Sequence, residues 1–166
     1  LLPEDKRYEI IEGELIMVPA PIPYHQDVSK SLFLRLHNYV ESENLGKVYY
    51  APIDVVLSNE NIVQPDILFI FKQRLSIITE KNIQGAPDLV IEIISPLTRE
   101  KDSLLKRKIY AKFGVKEFWL VNMEKKNVEV LTLKEKGFEK AGFYTKNETL
   151  LSPLLQNLRI PINEIF

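Results

Sequence analysis

The stretch Pro87-Asp88-Leu89-Val90-Ile91-Glu92-Ile93-Ile94 is the apolar segment that decides how the rest of the chain is interpreted. Its run of branched aliphatic residues predicts a strand that is buried on both faces. Glu92 interrupts this run, and an ionised carboxylate is costly to bury unless a cation or a hydrogen-bond donor meets it. Because alternate residues of a strand share a face, we expect Glu92 to lie on the same face as Val90.

A second segment, Pro65-Asp66-Ile67-Leu68-Phe69-Ile70-Phe71, repeats the pattern of one carboxylate beside a strand-like apolar run. If the two strands are neighbours, Asp66 and Glu92 repel each other unless something positive lies between them. A hard divalent cation such as Mg²⁺ prefers carboxylate oxygens and also binds phosphate. The pair therefore indicates metal-assisted phosphodiester chemistry, with Asp66 and Glu92 as the metal ligands.

Length and composition limit the classes of protein to consider. The 166 residues suit one domain with a full core, and the net charge of −1 disfavours a generally basic nucleic-acid binder. The absence of cysteine excludes thiolate metal sites, and two histidines, His25 and His37, disfavour a multi-histidine zinc site. No apolar run approaches the roughly 20 residues of a membrane span. Because the first residues also lack the order of a secretory signal, we expect a cytoplasmic protein.

Apolar periodicity and turn residues predict an alternation of strands and helices. We expect a hairpin at Tyr8–Val18, a helix at His25–Asn44 that Gly46 ends in a left-handed conformation, strands at Lys47–Leu57 and Val63–Phe71, a short helix near Gln73–Thr79, a strand at Asp88–Ile94, a helix from Ser95 to Phe113, and strands at Lys116–Asn122, Asn127–Leu133 and Phe138–Tyr144. This order predicts an α/β fold with a sheet covered on both sides. No repeat or linker divides the chain, so residues 1–166 are expected to form one domain.

The helix that follows Glu92 carries Asp102, Lys106 and Tyr110 at spacings of four, which places them in one stripe. Its packing side is expected to consist mostly of the apolar residues Leu104, Leu105, Ile109 and Phe113. Because the connection is short, the helix should return over the sheet near Glu92. Lys106 could then reach a phosphate that a metal holds, where it would position the nucleophile or stabilise developing charge.

Six strings occur in an order and spacing that are specific as a set. They are YEIIEGEL (8–15), PAPIPYHQ (19–26), VQPDILFI (63–70), GAPDLVIEIISP (85–96), DSLLK (102–106) with Tyr110, and GVKEFWLV (114–121). With them the chain resembles, over nearly its whole length, the Uma-two family of restriction-endonuclease-like proteins within the PD-(D/E)XK nuclease superfamily. The resemblance implies a restriction-endonuclease-like three-layer core, with a mixed β-sheet flanked by helices and an N-terminal β-hairpin. Pro65-Asp66 would be its "PD" element and Glu92 its second acidic ligand.

One position departs from the superfamily pattern, which has a lysine two residues after the second carboxylate. Ile94 stands there, and in the family this lysine has moved to the following helix, where Lys106 matches it. The resemblance thus implies an endonuclease that hydrolyses DNA with Mg²⁺, or Mn²⁺ in its place, through Asp66, Glu92 and Lys106. A homodimer is also expected, because two symmetric sites can address the two strands of a duplex.

Each of these residues has a plainer interpretation. Asp66 could cap a turn, Glu92 and Lys106 could form a structural ion pair, and Lys106 could belong to a solvated basic run with its neighbours Arg107 and Lys108. Asp88 repeats the Pro-Asp pattern on the face of Glu92. It could be the first metal ligand instead of Asp66, although turn capping is the favoured interpretation.

Possible supporting roles fall to Glu12 in the hairpin, His25 near a helix start, and Asp102 and Tyr110 beside Lys106. Exposed hairpin charge is the favoured account of Glu12, and a structural role is favoured for His25. Two other functions compete with a nuclease. One is a catalytically inactive nuclease-fold module for nucleic-acid binding or assembly, suggested by Ile94. The other is a glycoside hydrolase that uses two carboxylates, which leaves Lys106 without a role.

Overall fold

The computed structural model describes residue 3, residues 6–95 and residues 100–166. Its strands are β1 (Arg7–Ile11), β2 (Glu14–Val18), β3 (Gly46–Tyr50), β4 (Val55–Ser58), β5 (Asn61–Val63), β6 (Ile67–Phe71), β7 (Ile83–Gln84), β8 (Leu89–Ile94), β9 (Glu117–Asn122), β10 (Asn127–Lys134), β11 (Gly137–Tyr144), β12 (Thr149–Leu151) and β13 (Arg159–Pro161). The helices are α1 (Pro23–Ser42) and α2 (Glu100–Phe113), with short 3₁₀ turns at Lys72–Ile77 and Ile162–Glu164. None of these helices is long and apolar enough to cross a membrane.

A six-stranded mixed sheet forms the middle layer, with the strand order β11-β10-β9-β8-β6-β3. The strands β8 and β9 are parallel, as expected for two strands joined by a helical crossover through α2, and the remaining pairs are antiparallel. One face of this sheet packs against α1. The helix buries Val28, Leu32, Leu36 and Val40, whose spacing of four forms one stripe, against β6, β8 and β9.

The opposite face of the six-stranded sheet packs against α2 and a second sheet of order β2-β1-β5-β4-β7. Alternate residues of β8 separate cleanly between the two cores: Leu89, Ile91 and Ile93 face α1, whereas Val90 faces α2. The predicted three-layer α/β fold with a mixed sheet and an N-terminal hairpin is confirmed. The second sheet, which extends the hairpin, was not predicted.

Two of the predicted strands each split between the two sheets. The segment predicted at Lys47–Leu57 becomes β3 in the large sheet and β4 in the small one, and Val63–Phe71 divides into the end of β5 and β6. A proline lies at each break, Pro52 and Pro65, and proline cannot donate a hydrogen bond to a sheet ladder. A turn at 59–60 links the antiparallel strands β4 and β5.

The expectation that Gly46 ends α1 in a left-handed conformation is wrong. The helix ends at Ser42, and Asn44, with φ of 51°, takes the left-handed conformation. Gly46 instead begins β3, where a Cβ atom would collide with the carbonyl oxygen of Ile70 on the neighbouring strand. Glycine is required here by close backbone approach between strands.

The helix α2 ends at Phe113 as predicted, and Gly114 follows with φ of 88°. The first residues of the helix predicted from Ser95 include 96–99, which lie outside the described residues. The prediction that Leu104 packs against the core is wrong, because its side chain is 61% exposed. The buried side of α2 passes instead through Ile109 and Tyr110, so Leu104 faces away from the sheet.

Candidate active site

A cleft of about 830 Å³ opens where the N-terminal end of β6 and the C-terminal end of β8 meet the small sheet. The strands β1 and β2, the start of α1 and one side of α2 form its walls. Residues that line it include Arg7, Glu9, Glu14, His25, Asp66, Glu92, Asp102 and Lys106, together with an apolar rim of Leu15, Met17 and Ile22. Three candidates from the sequence, Asp66, Glu92 and Lys106, therefore meet in one cavity.

The sheet register brings Asp66 and Glu92 together. In the antiparallel pair of β6 and β8, Ile67 lies opposite Ile91, with Asp66 directly before Ile67 and Glu92 directly after Ile91. Both side chains are mostly but not fully enclosed, at 15% and 12% exposure. The two carboxylates therefore lie side by side at the cleft.

Two groups fix the Asp66 carboxylate. The backbone N–H of Ile93 donates a hydrogen bond of 2.7 Å to Asp66 Oδ2, which ties the residue across the strand pair. His25 Nε2 lies 3.3 Å from Asp66 Oδ1. Because His25 lies in the first turn of α1, the start of that helix reaches the cleft, and His25 lies there beside Asp66.

Lys106 lies between two carboxylates. Its Nζ donates to Glu92 Oε1 at 3.1 Å and to Glu9 Oε1 at 2.9 Å. The hydroxyl of Tyr110, one turn along α2, donates to the same Glu92 oxygen at 2.6 Å. The predicted stripe of Asp102, Lys106 and Tyr110 is confirmed, and so is the ion pair between Lys106 and Glu92 that the plainer interpretation required.

Glu9 was not predicted from the sequence. It lies in β1, its side chain is only 5% exposed, and its carboxylate also accepts a 2.7 Å hydrogen bond from the backbone N–H of Gln64. A signal was present, because Glu9 alternates with the buried Ile11 in a strand and so faces the core side of the hairpin. That signal does not single out Glu9, because the same hairpin contains two further acids, Glu12 and Glu14, that are exposed.

The electrostatics of the cluster follow from its burial. Burial raises the pKa of Glu92 from 4.5 to about 7, with further increases from the negative charges of Asp66 and Glu9, whereas Lys106 and the Tyr110 hydroxyl lower it. Burial alone would lower the pKa of Lys106, but the attraction of Glu92 and Glu9 outweighs it and keeps the ammonium protonated. Burial and the same carboxylates raise the pKa of Tyr110 well above 10, so its hydroxyl stays a donor.

These residues fit a hard divalent cation by chemistry and by charge. Asp66 and Glu92 offer carboxylate oxygens beside a third carboxylate, Glu9, and only one ammonium contacts this group in the described residues. No three acidic or histidine side chains there converge tightly enough to hold a metal alone. Mg²⁺ is commonly bound through one or two carboxylates, with water and substrate phosphate completing its shell.

Asp88 lies at the other end of β8. Its fully buried carboxylate pairs with Arg74 and Lys116, each at 2.9 Å, and accepts a 2.8 Å hydrogen bond from the Phe71 backbone N–H. Two cations already neutralise it, and it does not line the cleft. The position at the strand entrance is as predicted, and the arrangement supports a structural role over that of first metal ligand.

The last two supporting candidates differ in position. Glu12 occupies the turn between β1 and β2 with φ of 52°, where its exposed carboxylate pairs with Lys108 at 3.1 Å. This matches the interpretation of Glu12 as exposed hairpin charge. Asp102, one turn before Lys106, lines the cleft.

The mixed sheet, with acidic residues at the ends of two adjacent inner strands and a TM-score of 0.84 to a solved nuclease structure, has a restriction-endonuclease-like fold. The chain belongs to the Uma2 family, described as "Putative restriction endonuclease", whose model matches residues 1–163. A solved structure with the same fold is that of a "putative nuclease belonging to DUF820 from Anabaena variabilis ATCC 29413". It is 20% identical, with a TM-score of 0.84 over 100% of this chain and 93% of that one. No curated protein matches the sequence significantly.

Proposed function

We propose that this protein is a Mg²⁺-dependent endonuclease that hydrolyses phosphodiester bonds in DNA. Membership of the Uma2 family and the nuclease fold support a nuclease. The observation that carries the finer proposal is that Asp66, directly before β6, and Glu92, on the adjacent strand β8, line one cleft, in which Lys106 contacts Glu92 at 3.1 Å. In this proposal Asp66 and Glu92 hold the cation and Lys106 acts at the phosphate.

The chain's own groups would divide the work as follows. A bound Mg²⁺, or Mn²⁺ in its place, would neutralise phosphate charge and lower the pKa of the attacking water. Asp66 is oriented for this by the Ile93 N–H, and Glu92 by the Tyr110 hydroxyl. Lys106 uses two of its three N–H donors on carboxylates in the described residues, so the third can donate to a phosphate oxygen.

The test is cleavage of supercoiled plasmid DNA with Mg²⁺, with Mn²⁺ and with EDTA. The wild-type protein should nick the plasmid only when a divalent cation is present. Asp66→Asn and Glu92→Gln keep the size of each side chain and should lower the rate at least about 100-fold, the scale of a lost electrostatic contact to the transition state. Glu135→Gln, in the exposed turn between β10 and β11, is the matched control and should cleave normally. Full activity in either cleft variant would overturn the proposal.

The competing function is an inactive nuclease-fold module for nucleic-acid binding or assembly. It is favoured by Ile94, which stands in the usual lysine position, and by the engagement of Lys106 with two carboxylates. Binding of DNA without cleavage of plasmid, linear duplex or single-stranded DNA in Mg²⁺ and Mn²⁺ would decide for this function. Neither comparison favours a glycoside hydrolase.

Three further expectations stay proposals. Residues 1–166 form one nuclease-like domain, the protein works as a homodimer so that two sites face the two strands of a duplex, and its compartment is the cytoplasm. Light scattering after size-exclusion chromatography tests the dimer, and a monomer mass at the concentration used for cleavage would exclude it.

A further inference from the structure

The ammonium of Lys106 is shared between two layers of the fold. Glu92 belongs to β8 of the large sheet, whereas Glu9 belongs to β1 of the small sheet, and Lys106 reaches between them from α2. Glu9 is the more deeply enclosed partner, at 5% exposure against 12%. The Gln64 backbone N–H, at 2.7 Å, fixes the Glu9 carboxylate independently of Lys106. The two acceptors are therefore anchored by different parts of the chain.

This sharing matters once Glu92 binds a divalent cation. Both the cation and the Lys106 ammonium are positive, and both need the Glu92 carboxylate, so binding of one weakens the contact of the other. With Glu92 as its only acceptor, the ammonium would either block the cation or leave the site. A second carboxylate, on β1 of the small sheet and 2.9 Å from the same Nζ, resolves this conflict.

We propose that Glu9 is a positioning residue that retains the Lys106 ammonium in the cleft when Glu92 binds a divalent cation. This rests on the proposed function, and it assigns Glu9 a role through Lys106 and not as a metal ligand. Glu9 acts through its 2.9 Å contact with Lys106 Nζ, while the Gln64 N–H holds its carboxylate in place.

The test is calorimetric titration of the metal-free protein with Mn²⁺, and separately Mg²⁺, in wild type, Glu9→Gln, Lys106→Met and the double variant. Lys106→Met should tighten cation binding several-fold, because a competing charge is gone. Glu9→Gln should weaken it about tenfold, because Lys106 then pairs with Glu92 alone. In the Lys106→Met background the same change should weaken binding less than about threefold, since Glu9 then acts on the cation only through its charge and no longer through Lys106.

Each outcome decides the matter. An equal loss from Glu9→Gln in both backgrounds would make Glu9 a metal ligand, and unchanged affinity with reduced stability would make it merely structural; either overturns the inference. The glutamine retains an oxygen that can accept from the Gln64 N–H, so the variant should fold. If Glu9→Gln does not fold, the titration of Lys106→Met still tests the inference. Unchanged or weaker cation binding by Lys106→Met would refute the competition between Lys106 and the cation for Glu92.

The parallel plasmid assay separates this inference from the proposed function. A wild-type protein that cleaves, together with Glu9→Gln that binds cation like wild type, overturns only the role of Glu9. A wild-type protein that neither binds cation nor cleaves overturns the nuclease proposal and the role of Glu9 with it. Where cleavage occurs, Glu9→Gln should lower kcat, because Lys106 then pairs with Glu92 and is no longer held for the phosphate.

Discussion

Glu92 should make the metal-free protein lose stability as the pH rises. Its pKa is raised from 4.5 to about 7 by burial, so the folded state holds this proton more tightly than the unfolded chain. The resulting stabilisation is complete below pH 4.5 and is lost as the pH rises through about 7. At about 1.4 kcal/mol per pH unit, the full effect is about 3 kcal/mol, of which about 2–3 kcal/mol falls between pH 5 and pH 8.

Urea unfolding in EDTA at pH 5 and pH 8 measures this loss directly. The comparison is with Glu92→Gln, which keeps an oxygen for the Tyr110 hydroxyl but does not titrate. Glu117, whose pKa burial also raises, contributes to the pH dependence of both proteins, so the difference between them isolates Glu92. Between pH 5 and pH 8 the free energy of unfolding of the wild type should fall by about 2–3 kcal/mol more than that of Glu92→Gln.

Parallel stability curves for wild type and Glu92→Gln would refute the reasoning, because they would show that burial does not disfavour the ionised form of Glu92. The exposed control Glu135→Gln should follow the wild type at both pH values. Mg²⁺ added at pH 8 should restore stability to the wild type and not to Glu92→Gln, since a ligand that binds only the folded state stabilises it.

Three other changes give separate tests. Lys106→Met should lower the free energy of unfolding by about 3–5 kcal/mol at pH 8 in EDTA, because it leaves buried carboxylates without their cation. A decrease below about 1 kcal/mol in urea unfolding would contradict this. Tyr110→Phe should lower the free energy of unfolding by about 2 kcal/mol at pH 8 and by less at pH 5, because it removes a hydrogen bond to ionised Glu92 and raises the pKa of Glu92 further. An equal decrease at both pH values would contradict this. Gly46→Ala should lower stability by about 3 kcal/mol through collision with the Ile70 carbonyl, and a thermal midpoint within about 2 °C of wild type would show that the strands can separate there.

Much of the fold could be predicted because its signals are local. The stripe of α1, the hairpin around Gly13 and the buried run of β8 each follow from the period of apolar residues in one segment. The division of the predicted strands between two sheets could not be predicted in this way. It depends on which distant strand each half pairs with, and Pro52 and Pro65 mark only where a break is possible.

For the candidate site, too, the residues with a local sequence signal could be predicted, whereas those that depend on long-range packing could not. Asp66, Glu92 and Lys106 were found because an acid in an apolar strand, or a polar stripe on the next helix, is visible in sequence. The approach of His25 to Asp66 depends on how α1 packs across the sheet, which no local pattern encodes. Glu9 was missed because the hairpin contains several acids and looked exposed. Its burial arises only when the small sheet covers the large one.

The most direct test of a cation shared by Asp66 and Glu92 is a crystal structure of the protein soaked with Mn²⁺, with the metal located by its anomalous signal. The account predicts one peak within about 2.0–2.3 Å of an oxygen of each carboxylate, with the Lys106 ammonium still beside Glu9. A peak elsewhere on the protein, or none at millimolar Mn²⁺ while Lys106 remains paired with Glu92, would contradict it.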